Sequence, residues 1–163
     1  VLIDAFRQLP AGAGRLLVHG PANQDPRFYR TLEERASALA VEFRGTFPAE
    51  RMQETLAEID VLVIPSRWYE NSPLVLLYAL ATHTPVIVTD VEGLTEFVEE
   101  GHSGFAFPKG DVSALARSMT RFVNEPGLLA AMRAKTRYEQ DTRSMTEAEL
   151  RIYEDATESR CAA

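Results

Sequence analysis

A carboxylate stands just ahead of a predicted helix start in the segment from Pro65 to Leu74. Glu70 precedes Ser72-Pro73, and proline is favoured at the first position of a helix. The free N–H groups of a helix's first turn bind phosphate, and a neighbouring carboxylate accepts hydrogen bonds from hydroxyls. A diphosphate flanked by hydroxyls is the chemistry of a nucleotide-sugar. The residue types and their order therefore predict a nucleotide-sugar site with Glu70 as its carboxylate.

Further candidate residues follow the other predicted strands, because parallel α/β sheets bind ligands at the carboxyl ends of their strands. Ser66 lies just after the third predicted strand, and Glu96 lies beyond the fourth. The candidates after the first two strands are Gly20, Gly45, Thr46 and Phe47. The histidines, His19, His83 and His102, lack the spacing of metal ligands, so no metal site is expected.

These segments belong to an alternation of short apolar runs and helical patterns. The predicted strands are Leu16–His19, Val41–Arg44, Val61–Ile64, Pro85–Thr89 and Phe105–Phe107. Several are apolar without alternation, as expected for strands buried on both faces of a parallel sheet. The pattern predicts a doubly wound, Rossmann-like α/β fold with helices on both faces of the sheet.

Helices are predicted between and after these strands. Residues Leu74–Thr82 are apolar all round, which predicts a helix that is buried on every side. Two further helical stretches cover about 127–140 and 145–157. Leu2 and Phe6 already lie at helical spacing, whereas a doubly wound domain normally starts with a strand. We therefore expect the first strand of the sheet to be missing from this chain.

Composition limits the class of protein. The 163 residues fit one domain, and a net charge of −7 with no basic stripe argues against nucleic-acid binding. The single cysteine, Cys161, fits a reducing compartment. No segment is long and apolar enough to cross a membrane. A cytoplasmic location is expected, with membrane-peripheral attachment of the full-length protein as an alternative.

Taken together, several segments resemble the signature of glycosyltransferase family 4, the group 1 glycosyltransferases. The family pattern P-S-…-E-x7-E-A-…-G-x-P-V-I is similar to the stretch from Pro65 to Ile87, with departures at Tyr78 and His83. The other matching segments are His19-Gly20-Pro21, Phe43-Arg44-Gly45, Gly93-Leu94-Thr95-Glu96 and Gly101-His102-Ser103-Gly104-Phe105. They follow the family's order over almost the whole chain.

The resemblance implies a retaining transferase of GT-B type, in which two Rossmann-like domains face each other. Residues 1–163 would form a single nucleotide-sugar-binding domain, the C-terminal, donor-binding domain, and helices in 127–163 would return towards the N-terminal domain. The donor would be an NDP-sugar, used without a metal or other cofactor. The acceptor, a sugar or lipid-linked sugar, would bind through the other domain. The family's Arg/Lys pair, which neutralises the leaving diphosphate, would lie upstream of residue 1, so this chain alone is expected to be inactive.

By the same resemblance, Glu70 contacts the donor sugar, and the backbone N–H groups of Asn71, Ser72 and Leu74 bind the phosphates. The backbone near Gly45, Thr46 and Phe47 faces the base. The family's second glutamate, which binds the ribose hydroxyls, is replaced here by Tyr78. A carboxylate offers two oxygens in a fixed fork, whereas a phenol offers one on a bulkier arm. His83 replaces a small glycine of the family.

Plainer interpretations compete for several residues. Glu70 on its own is typical of an ordinary loop carboxylate, and Tyr78 is expected to be a buried packing residue rather than a ligand contact. Glu96 is as well suited to bracing its own short helix as to binding a ligand. Trp68 and Tyr69 are expected to pack within their loop, with lining of the cleft as the alternative.

Two other functions are compatible with a doubly wound domain. One is a non-catalytic nucleotide-sugar-binding relative that kept the fold and lost ribose recognition at Tyr78. The other is a phosphoacceptor signalling domain, which needs an aspartate at the end of the third strand. Pro65-Ser66 stands there instead, although Thr89 and Lys109 fit that pattern loosely.

The expected loss of a central strand has an energetic consequence. In the family, the first strand lies between the strands that correspond to Leu16–His19 and Val61–Ile64. Without it, these two would face each other across about 10 Å, twice the usual spacing between strands. Buried, unpaired backbone groups cost about 1–3 kcal/mol each. We therefore expect the sheet to close up, or another chain to supply a strand by chain–chain pairing, or the domain to be stable only with upstream residues. An open, unpaired gap would contradict this reasoning.

Overall fold

The computed structural model describes residues 1–161, apart from the side chains of residues 142 and 157–161. Within this part of the chain, parallel strands alternate with helices. The strands are β1 (Leu16–His19), β2 (Val41–Gly45), β3 (Leu62–Ile64), β4 (Val86–Thr89) and β5 (Gly104–Phe107). The helices are α1 (Leu2–Phe6), α2 (Pro26–Ala36), α3 (Met52–Ala57), α4 (Leu74–Ala81), α5 (Val112–Asn124), α6 (Leu128–Lys135) and α7 (Thr142–Cys161). Short 3-10 turns cover Ala49–Arg51 and Thr95–Phe97.

The strands form two parallel groups, β1-β2 and β3-β4-β5. Leu17 pairs with Glu42, Val63 with Ile87 and Ile87 with Phe105. All four residues of β4 are buried, because β4 has a strand on each side and helices on both faces. The predicted α/β, Rossmann-like fold with parallel strands flanked by helices is confirmed.

The expectation that the sheet closes up is wrong. Leu17 of β1 pairs with β2, and Val63 of β3 pairs with β4. In the described chain, β1 and β3 do not pair with each other. Both line one groove, which α1 and α5 border with Leu2 and Phe122. The groove contradicts our estimate that such a gap is too costly. Leu17 and Val63, which face this groove, are only half-buried, so they are not the fully buried residues that the estimate assumed.

Two of the helices begin at an aspartate that caps the first turn. The Asp25 side chain accepts from the N–H of Phe28, and Asp111 accepts from Ala114, so each caps a helix start. The core divides into two clusters, one on each face of β4. Leu56, Ile64, Leu76, Leu80 and Val88 belong to the first cluster, and Ala5, Ile87, Phe107 and Leu115 belong to the second.

The prediction that α4 is buried on every side is wrong. Leu76 and Leu80 are buried, but Leu74 is 62% and Tyr78 48% exposed. Because the apolar residues of α4 have no helical periodicity, sequence alone does not distinguish its inner from its outer face. Trp68 and Tyr69, in the loop ahead of α4, are also exposed rather than packed as expected. An exposed apolar surface therefore surrounds the start of α4.

The helices after β5 run further from the core. Met132 anchors α6, and its side chain is almost fully buried. Leu150, Ile152 and Tyr153 on α7 are exposed by more than half of their surface. Among the described residues, no helix has the length and apolar character needed to span a bilayer.

Candidate functional site

The candidate site is built around the loop that joins β3 to α4. This loop begins at Pro65, after the carboxyl end of β3. It ends at Pro73, which directly precedes α4. The hydroxyl of Ser66 donates to Oε1 of Glu70 at 2.6 Å. Oε2 of Glu70 has no partner within the part of the chain that is described. Ser66 thus fixes one carboxylate oxygen and leaves the other available to a ligand.

A second loop, between β4 and the Thr95–Phe97 turn, holds the backbone of Glu70. The N–H of Glu70 donates to the carbonyl of Glu92 at 3.2 Å. Gly93 lies against the Glu70 carbonyl so closely that a Cβ at this position would lie 2.6 Å from the carbonyl carbon. With a φ of +81°, Gly93 also adopts a conformation that favours glycine. The contact explains why a glycine stands here.

Glu96 acts on the same loop. Its Oε1 accepts from the N–H of Gly93 at 3.2 Å. This is the bracing contact that the plainer interpretation expected, and it supports Gly93 rather than pointing to a ligand. Glu96 therefore touches Glu70 only through the intervening loop.

The start of α4 offers free backbone donors. The N–H groups of Asn71, Ser72 and Val75 have no acceptor within residues 1–161. The N–H of Leu74, in contrast, already donates to the carbonyl of Ser72 at 2.8 Å. Of the three predicted phosphate donors, Asn71 and Ser72 are free and Leu74 is engaged. Val75 is a further free donor, which the sequence interpretation did not include.

A second group of candidates meets at the carboxyl ends of β1 and β2. The N–H of Gly20 donates to the carbonyl of Gly45 at 2.9 Å, next to an irregularity in the strand pairing. Phe47 packs edge-on against His19, with ring centroids 5.1 Å apart. Thr46 is exposed beside them. These residues form one cluster, on the same side of the sheet as Glu70, because both follow the carboxyl ends of parallel strands.

Tyr78 differs from the packing residue that was expected. It lies one turn after Leu74 on α4, with almost half of its surface exposed. Its hydroxyl has no hydrogen-bond partner among the described side chains and backbone. The phenol is thus open to solvent at the position where the related family carries a glutamate.

His83 follows the end of α4 and has a structural role. It is the one non-glycine residue in the described chain with a positive φ, +58°. Its Nδ1 donates to the carbonyl of the buried Thr136 at 2.7 Å. This bond joins the end of α4 to the end of α6. The described residues contain no cluster of His, Cys, Asp or Glu side chains that could hold a metal ion.

Sequence reasoning missed Glu92 and Gly93 as the residues that hold Glu70. The signal was present, because the segment Gly93 to Glu96 matched a family pattern. The pattern did not reveal which backbone the glycine approaches, since that contact joins loops 23 residues apart.

Comparison with known proteins establishes the family. The family model described as "Glycosyl transferases group 1" matches residues 1–125, so the chain belongs to the group 1 glycosyltransferases. The chain is 32% identical to a D-inositol 3-phosphate glycosyltransferase of Streptomyces avermitilis over 143 residues, which are 85% of this chain and 31% of that protein. It is 31% identical to the exopolysaccharide phosphotransferase SCO2592 of Streptomyces coelicolor over 94% of this chain and 16% of that protein. The chain thus spans no more than about a third of these relatives.

Solved structures show the same fold. Sucrose-phosphate synthase from Thermosynechococcus elongatus has a TM-score of 0.76 and 26% identity, over 96% of this chain and 42% of that one. Anabaena HepE, solved in complex with UDP and glucose, has a TM-score of 0.74 and 20% identity, over 99% of this chain and 44% of that one.

Proposed function

We propose that this chain is the donor-binding domain of a retaining GT-B glycosyltransferase, and that an NDP-sugar binds at the start of α4. The observation that carries the proposal is the held Glu70 carboxylate beside the free N–H groups of Asn71, Ser72 and Val75. Free amides at a helix start bind phosphate oxygens, and the helix dipole adds to that attraction. The free oxygen of Glu70 is then available to a sugar hydroxyl.

The cluster of Gly20, Gly45, Thr46 and Phe47 would lie against the nucleoside. It lies at the carboxyl ends of β1 and β2, where the strand pairing is irregular, and the half-buried ring of Phe47 would stack on a flat base. Ser66 would act on the donor through Glu70, and Glu96 through Gly93. Tyr78 would lie near the ribose, where it supplies one oxygen in place of two.

Transfer with retention would use no protein nucleophile in this proposal. The start of α4 would stabilise the departing diphosphate by its aligned N–H groups, and the acceptor would be positioned on the same face of the sugar. No metal or other cofactor would take part. The acceptor glycan or lipid-linked sugar would bind through a second domain, so residues 1–163 alone would bind donor without transferring it. A cytoplasmic location stays a prediction.

The residues 127–163 would reach that second domain. The exposed Leu150, Ile152 and Tyr153 of α7 support this placement, because an exposed apolar helix face is typical of an interaction surface. Trp68, Tyr69 and Leu74 would border the cleft between the two domains. Residues 1–163 would form one domain.

Thermal unfolding with UDP-, GDP-, ADP- and dTDP-sugars tests the proposal. Ligand at 100 times its Kd stabilises the folded state by about 2.7 kcal/mol. At about 2–4 °C per kcal/mol for a domain of this size, the midpoint rises by about 5–11 °C with the correct donor. Glu70→Gln should lose most of the rise. Glu33→Gln is the matched control, because Glu33 is an exposed carboxylate on α2.

A midpoint that no NDP-sugar raises would contradict donor binding. A rise that survives unchanged in Glu70→Gln would place the ligand elsewhere. Binding of a donor by a full-length protein that transfers no sugar would favour the non-catalytic relative, for which the exposed phenol of Tyr78 is the supporting observation.

A further inference from the structure

Tyr78 carries the only polar side chain of α4. The helix reads Leu-Val-Leu-Leu-Tyr-Ala-Leu-Ala from Leu74 to Ala81. The phenol is almost half exposed, and its hydroxyl has no partner among the described side chains and backbone. The next hydroxyl along the chain, that of Thr82, already donates to the carbonyls of Tyr78 and Ala79. A ligand that lies along α4 therefore meets one free polar side-chain atom on this helix.

The phenol lies close to the free amides at the helix start. Side chains of a helix lean towards its amino end, and residues four apart share a face. Tyr78 therefore extends over the exposed Leu74. Val75, whose N–H is free, precedes Tyr78 by three residues, which is about 4.5 Å along the helix axis. A diphosphate on the amides would place its neighbouring group within reach of the phenol.

The order of these groups along the chain matches the order of groups in an NDP-sugar. Glu70 comes first, the free N–H groups of Asn71, Ser72 and Val75 follow, and Tyr78 is last. In the ligand, the diphosphate lies between the transferred sugar and the sugar of the nucleoside. With the diphosphate on the amides and the transferred sugar at Glu70, the nucleoside's sugar lies beside Tyr78. This step rests on the donor binding proposed above.

The phenol cannot bond both hydroxyls of a ribose. A ribose presents neighbouring 2′ and 3′ hydroxyls, whereas the phenol has a single oxygen. The residues next to Tyr78 on the helix surface, Leu74, Val75 and Ala81, have no polar side-chain atom. One hydroxyl therefore gains no side-chain partner from α4. Because Tyr78 is half exposed, that hydroxyl keeps its bonds to water, and removing it loses little affinity.

We propose that Tyr78 makes the site accept 2′-deoxyribonucleoside diphosphate sugars as readily as ribonucleoside diphosphate sugars. The phenol bonds the 3′ hydroxyl, which both classes carry, and its ring packs against the C2′ side of the sugar. The 2′ hydroxyl makes no bond to the protein. At this position, dTDP-sugars are therefore as suitable as UDP-sugars, and contacts to the base decide between them.

Calorimetry with matched pairs of nucleotides tests the proposal. Each pair differs only at the 2′ position: UDP with dUDP, ADP with dADP, and GDP with dGDP. The ratio of the two dissociation constants cancels the contributions of the base and the diphosphate. In the present chain, the two members of the pair that binds should have affinities within about threefold of each other.

Three variants show whether Tyr78 sets this ratio. Tyr78→Glu should make the ribonucleotide bind at least about tenfold more tightly than its deoxy partner, because a carboxylate accepts from both hydroxyls. Its charge acts on both members equally. Tyr78→Phe should weaken both members alike, since it removes the bond to the hydroxyl that they share. Ala81→Glu is the matched control: it adds the same charge to the exposed end of α4, away from the amides, and should leave the ratio unchanged.

Two results would overturn the proposal while leaving donor binding intact. One is a preference of about tenfold or more for the ribonucleotide in the present chain, because another group, such as the exposed Thr46, would then bond the 2′ hydroxyl. The other is a ratio that Tyr78→Glu leaves unchanged, since the nucleoside's sugar would then lie away from Tyr78. Binding of none of these nucleotides would refute the donor site itself, and this inference with it.

Discussion

Replacing Gly93 by alanine tests whether this glycine holds the backbone of Glu70 in place. The new Cβ would lie 2.6 Å from the carbonyl carbon of Glu70, whereas real Cβ atoms essentially never come within 3.0 Å of such an atom. The obstacle is backbone and not the end of a flexible side chain. One of the two loops must therefore move, and the bond from Glu70 to Glu92 is the contact that such a movement breaks.

The expected loss of folding free energy in Gly93→Ala has three parts. A side chain at a φ of +81° costs about 1–2 kcal/mol. Displacing packed backbone costs about 1–3 kcal/mol more, and losing the hydrogen bond of Glu70 costs about 1 kcal/mol. The first part is separable, because Gly110 has the same φ of +81° and a Cβ there would meet nothing within 4 Å. Gly110→Ala is therefore the matched control.

Thermal or urea unfolding of Gly93→Ala and Gly110→Ala gives the difference in their folding stability. Gly93→Ala should be less stable than Gly110→Ala by at least about 2 kcal/mol, or about 4 °C or more in Tm. Equal losses in the two variants would show that only the backbone conformation matters. The inferred packing of Gly93 on Glu70 would then be refuted.

Three further changes have defined outcomes. Ser66→Ala removes the hydrogen bond to Glu70. It should weaken binding of an NDP-sugar about 3- to 10-fold and leave the affinity for free NDP unchanged. Calorimetry in which both affinities fell alike would refute this. Tyr78→Glu should strengthen binding of a ribonucleotide-sugar, because it restores a two-oxygen acceptor; equal or weaker affinity by calorimetry would show that the site is adapted to the phenol. His83→Ala should be less stable than His83→Gly by about 1 kcal/mol in urea unfolding. Both variants lose the hydrogen bond to Thr136, but only glycine adopts the positive φ without strain. The reverse order of stability would show that the backbone at this position is unstrained.

The strands were the easiest part of the fold to predict. β1 begins and ends as predicted, and the other four differ at their ends by a single residue. Short apolar runs between helical patterns have few alternative structures in a chain of this size. The alternation of strands and helices likewise sufficed for the fold class.

The burial of α4 could not be predicted in the same way. Its residues are nearly all apolar, so composition indicates burial while the exposure of Leu74 and Tyr78 depends on where the neighbouring layers end. The open groove between β1 and β3 was not predicted for a related reason. The energetic estimate assumed buried backbone groups at Leu17 and Val63, and their burial depends on the width of an opening that no sequence pattern specifies.

The sequence predicted which segment forms the candidate site, but not the contacts that hold its residues in place. Residues 65 to 74 attracted attention because a carboxylate, a proline and a helix start are adjacent in sequence. The support from Glu92 and Gly93 comes from another loop, and the engagement of the Leu74 N–H depends on the turn before α4. Contacts between loops and local turn geometry lie outside what residue spacing conveys.

Backbone amide NMR of this chain, titrated with UDP and then with UDP-glucose, tests the donor site most directly. We predict that UDP shifts the amide resonances of Asn71, Ser72 and Val75, and that the sugar adds a shift at Glu70. Resonances at the far end of the strands, such as Ala40 and Asp60, should stay in place. Saturable shifts confined to other residues, or no shift with any of the UDP, GDP, ADP and dTDP series, would contradict a donor site at the start of α4.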